Sequence, residues 1–122
     1  MLARALLLCL AVAAVAVGAT SLHTDHRCAE AKAAAKHAPV PDLPAIATDV
    51  ADRCGDPRDA ALVSLVLTAR GERASALALA RRMTRDHPQD YVGWLVVWRL
   101  SGSRGALARA HALNPRGTPA PR

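Results

Sequence analysis

The chain has 122 residues and a formal net charge of +6, enough for one small domain, and 52% of its residues are hydrophobic. It has two tryptophans, one tyrosine and no phenylalanine, so it lacks the aromatic platforms on which nucleic-acid bases stack, and its basic balance is not read as nucleic-acid binding. The charge is also uneven: from Ala60 to Arg122 there are ten arginines against Glu72, Asp86 and Asp90, whereas His23 to Asp59 carries five basic and seven acidic residues.

Ala5 to Leu22 is an uncharged run. As a helix its 18 residues would extend about 27 Å, against about 30 Å of bilayer hydrocarbon. A signal anchor over 1–22 is expected, with the rest of the chain extracytoplasmic. Val17-Gly18-Ala19 also has the small-residue spacing that signal peptidase reads, so the alternative is cleavage after Ala19 and secretion. Residues 23–26 are expected to be a juxtamembrane linker.

Beyond the leader, His26 to His37 is rich in strong helix formers and ends at the prolines of Ala38 to Pro44. Ala45 to Cys54 resumes helical spacing and Gly55 stops it. Asp56 offers an N-cap and Pro57 a first-turn residue for a helix through Arg70, in which Leu62, Val63, Leu65, Val66 and Leu67 are expected to form a broad buried face. Further helices are expected over Ala74 to Asp86, Tyr91 to Leu100 and Ala106 to Leu113, separated by Gly71, Pro88 and the Ser101 to Gly105 segment. Residues 116–122 read as a flexible tail. No stretch alternates with the period of two that a half-buried strand requires, so the domain is expected to be all-α.

Prolines 57, 88 and 115 each follow a polar residue and recur about every thirty residues, the kind of period that marks a helical repeat. Gly71, then the small or apolar Ala76, Ala80 and Met83, then Pro88, follow one another at the spacing of the tetratricopeptide repeat (TPR), which the chain resembles over 27–115. In that register Ala60, Val63, Ser64 and Leu67 are the packing positions of the preceding helix, and Trp94 packs the next unit across the Pro88 corner. The match departs from the pattern in three places. The last unit reaches Pro115 early, Trp98 stands where the family prefers a small residue, and the unit before Pro57 matches only in shape. The resemblance implies a short solenoid of antiparallel helical hairpins whose first helices line a groove for a protein or peptide; the alternative is a structural or accessory subunit that packs in a larger envelope complex.

Cys28 and Cys54 have their midpoint in the proline loop at residue 41, so a hairpin turning there sets them opposite each other, and in an exported chain they are expected to form a disulfide. Cys9 reads as an inert apolar residue. His23, Asp25, His26 and Cys28 crowd together, but zinc spacing needs a second cluster and none follows, so neither a metal nor a cofactor is expected. The sequence has no phosphate loop, nucleophile elbow or other catalytic constellation, and an enzyme is not expected. Arg81, Arg82 and Arg85 are candidate anion-binding residues for an acidic partner, against the ordinary reading of a solvated helix face.

Overall fold

The computed structural model describes the backbone of residues 2–121 and the side chains of residues 9–121. Within them the chain is all-helical: α1 Leu2–His37, a single 3-10 turn Val40–Asp42, α2 Leu43–Arg53, α3 Pro57–Ala69, α4 Arg73–Asp86, α5 Tyr91–Ser101 and α6 Arg104–Leu113. Every helix expected beyond the leader is present, and α2 and α6 each begin two residues earlier than their spacing suggests.

The expected juxtamembrane linker, His23 to His26, is helical: α1 runs through it unbroken for 36 residues, about 54 Å at 1.5 Å per residue. With no glycine or proline between Ala19 and His37, nothing interrupts propagation, and Thr24 returns its hydroxyl to the carbonyl of Thr20 at 2.9 Å. Side chains from Cys9 to Arg27 are all exposed, and Cys28 is the first buried one. Among the described residues no helix is long and apolar enough to cross a membrane. The run Ala5 to Leu22 reaches into residues 5–8, whose side chains lie outside the described set.

The second part of α1 packs on α2 through Ala31 and Ala35, small residues that let the helices approach, while Leu43, Ala47 and Val50 form the facing stripe of α2. Asp56 accepts the amide of Arg58 at 2.8 Å to start α3, and Asp90 accepts that of Val92 at 2.8 Å to start α5. Gly71 closes α3 at φ +86°, a conformation that disfavours any residue with a Cβ.

Contacts follow chain order. The hairpins α1/α2, α3/α4 and α5/α6 are each packed together, α2 lies on α3 and α4, α4 lies on α5, and α3 touches both α1 and α5. Among the described residues α6 meets α5 alone, and α1 meets neither α4 nor α5. α4 and α5 approach closely at Gly93: a Cβ there would sit 3.2 Å from Thr84 Cγ2 and 3.3 Å from Met83 Cγ. Gly93→Val is therefore expected to destabilise the fold by about 1–3 kcal/mol through overpacking. Gly93→Ala should lie closer to neutral, because the gain of about 1 kcal/mol in helix propensity opposes the crowding. Urea denaturation of the pair checks both, and equal midpoints would contradict the close approach.

The tail is less free than its composition suggests. Thr118 is buried, with its hydroxyl donated to the carbonyl of Asn114 at 2.7 Å and lying 3.4 Å from His111 Nδ1, so the chain folds back over the end of α6.

Candidate functional site

The residues that suggest a repeat are gathered in one place, as core. Ala60, Val63, Ser64 and Leu67 on α3 and Ala76, Ala80 and Met83 on α4 are all buried, and Ser64 satisfies its hydroxyl on the carbonyl of Ala60 at 2.9 Å. Pro88 sits exposed in the α4–α5 corner, and the half-buried Trp94 donates its indole N–H to the Pro88 carbonyl at 3.0 Å. That bond closes the turn the sequence marks. None of the buried residues can meet a partner, and Ser64, Leu67, Ala76 and Ala80 are all at 0% exposure. Of the broad apolar face expected on α3, only Val63 and Leu67 are fully inside. Leu62 and Leu65 are instead about half exposed, at 49% and 51%. They sit three residues apart and so share one side of the helix.

Cys28 and Cys54 form the expected disulfide, with Cα atoms 4.9 Å apart, and it joins α1 to the residue after α2. Beside it Lys32 Nζ lies 2.7 Å from Asp59 Oδ1, and Asp59 Oδ2 lies 3.5 Å from Cys28 Sγ. The disulfide and this ion pair together tie α1, the end of α2 and α3 into one corner. The donor atoms of Cys28, Cys54 and Asp59 fall within 4.8 Å of one another, but sulfurs bonded to each other have no thiolate to offer a metal. His23, Asp25 and His26 lie on the exposed part of α1, where His26 Nε2 meets Glu30 Oε1 at 3.2 Å, away from that corner.

The arginine cluster is divided. Arg82 Nη2 lies 2.7 Å from Asp52 Oδ1, bridging α4 to α2, and its Nε lies 3.5 Å from Asp86 Oδ2. The hydrogen bond that Arg82 donates to Asp52, reinforced by the charges of Asp52 and Asp86, holds the guanidinium protonated even more firmly than usual. Its charge is already answered. Arg81 and Arg85 are exposed and enter no ion pair among the described residues. Arg85 lines an open cavity of about 300 Å³ between α2 and α4, together with Arg82, whereas Arg81 does not.

Several ties between hairpins left no mark in the sequence pattern. Arg70 Nη1 donates to the carbonyl of Ala35 at 3.1 Å, Arg73 donates to the carbonyl of Leu100, and the Lys32–Asp59 and Arg82–Asp52 pairs span 27 and 30 residues. Each joins elements that only packing brings together. A glycine inside the apolar helix Tyr91–Ser101 was the one signal that could have located the close α4–α5 contact.

No family model, no curated protein and no solved structure matches this chain. The functional reading therefore rests on geometry and chemistry.

Proposed function

We propose that the chain is a non-catalytic, TPR-like module that binds a protein or peptide, held on the extracytoplasmic side of a membrane by its amino-terminal helix. The observation that carries this reading is the continuity of α1. An uncharged stretch from Cys9 to Leu22, exposed on every side, passes without a break into a domain stapled by Cys28 and Cys54. A helix apolar all round belongs in an apolar environment, and a disulfide belongs in an oxidising compartment. The order of packing supports the solenoid part of the reading, because each hairpin rests on its sequence neighbours and the ends do not meet. The half-exposed Leu62 and Leu65 on α3 are the residues offered to a partner, and Leu67 forms the core beneath.

Thiol labelling of the full chain in intact cells tests the location. Cys28 and Cys54 should stay unlabelled until reductant is added, and the protein should remain in the membrane pellet after alkaline extraction. Labelling of both without reductant would place the domain in a reducing compartment and overturn the reading. A mature chain starting at Thr20 would retain the module and remove the anchor. For the binding face, a photo-crosslinker at Leu65 should trap a discrete partner, and Leu62→Asp should reduce the adduct at least about tenfold while leaving the circular dichroism unchanged. An adduct that survives Leu62→Asp in the folded protein would move the site elsewhere.

A further inference from the structure

We infer that the channel between α2 and α4 is a second binding site, on different helices from Leu62 and Leu65, and that it takes an acidic aliphatic peptide segment, with an apolar side chain in the channel and a carboxylate on Arg85. The channel exists because both walls are built from small residues, Ala47 and Ala51 on α2 and Ser75 and Ala78 on α4, so the backbones pack without their side chains filling the space. Leu79, only 4% exposed, lies at its floor. At about 300 Å³ it is at the small end of ligand-binding clefts, sized for one or two aliphatic groups.

The polar groups around the channel decide what it can recognise. Thr48 returns its hydroxyl to the Pro44 carbonyl at 3.3 Å, and Ser75 donates to Glu72 Oε2 at 3.3 Å. Arg82 is held by Asp52 and Asp86, and in bridging α4 to α2 it sets the spacing of the walls before any ligand arrives. Arg85 is then the lining cation with no carboxylate of its own, and its planar fork suits a carboxylate in bidentate geometry. A concave slot with one unanswered guanidinium fits a side chain with an acid beside it better than it fits the flat, extended charge of a lipid surface.

The test uses the full chain in neutral detergent and a fluorescein-labelled peptide alternating leucine with glutamate, read by anisotropy at low salt. The glutamate peptide should bind, and its glutamine counterpart should bind about tenfold or more weakly. Arg85→Gln should cost about five- to tenfold in affinity. Ala78→Trp and Thr48→Trp, both at exposed wall positions, should each abolish binding by filling the channel, and Leu65→Asp should leave it unchanged. Equal binding of the two peptides, or full binding by folded Ala78→Trp and Thr48→Trp proteins, would overturn the proposal. So would displacement of the peptide by decanoate at matched concentration, which would assign the channel to a fatty acid. Binding to phosphatidylglycerol vesicles that falls with Arg85→Gln but not with Ala78→Trp would assign Arg85 to a lipid surface and overturn it as well.

Discussion

Replacing Cys28 and Cys54 together by alanine is expected to lower the unfolding free energy of the domain by about 3.5 kcal/mol, the chain-entropy value for a loop of this length. The bond spans 26 residues and encloses the whole α1/α2 turn. Beside Leu43 and Val50 the residues this hairpin buries are the small Ala31, Ala35 and Ala47, and alanine contributes little transfer free energy per residue. The bond therefore carries a larger share of stability here than it would against leucine packing. The Lys32–Asp59 pair beside it is about one-third exposed and cannot replace it, since pairs of that kind contribute roughly 0–1 kcal/mol. Urea denaturation of the full chain, with and without reductant, measures the loss. Hydrogen exchange should show amides of α2 losing protection before those of α4 and α5. An unchanged midpoint in the double variant would mean that packing alone holds the hairpin.

Leu67→Ala should cost about 2–5 kcal/mol, because it empties a site with no solvent contact at the centre of the α3 packing surface. Leu65→Ala, two residues away in the same apolar run, should change stability by less than about 0.5 kcal/mol, since that side chain is half exposed. The contrast is sharper than either value alone. It separates the buried side of α3 from the exposed one, and equal costs for the two substitutions would remove the reason for proposing a binding face at Leu62 and Leu65.

The helix boundaries were legible because the chain is punctuated by residues whose backbone chemistry is local. Pro39 follows the end of α1, Pro44 sits in the first turn of α2, Asp56 with Pro57 starts α3, Gly71 turns at positive φ, and Asp90 caps α5. The pairing of Cys28 with Cys54 was legible for a related reason, since once the proline loop is the turn, antiparallel geometry leaves few other places for two residues equidistant from it. Less legible was the backbone of His23 to His26, placed between span and domain as a linker, which the structure makes helical. Polarity alone does not stop a helix that has neither glycine nor proline in its path.

The facing of α3 lay beyond the sequence because Leu62, Val63, Leu65, Val66 and Leu67 spread over about 200° of the helix, an arc wider than one packing face, so the pattern alone does not say which part of it is buried. Packing by α1, α4 and α5 chose Val63 and Leu67 as interior. The same holds for charge: Arg81, Arg82 and Arg85 are equivalent as letters, but only Arg82 is reached by an aspartate 30 residues away, which leaves Arg85 open beside a channel that no local pattern announces. By itself the sequence determined the helices, their order and the position of the staple, because proline, glycine, capping aspartates and loop closure act over a few bonds or one hairpin turn. Which apolar residues are buried, which cations are paired and where space remains between helices were decided by the tertiary structure, since each depends on atoms that only folding brings within a few ångströms.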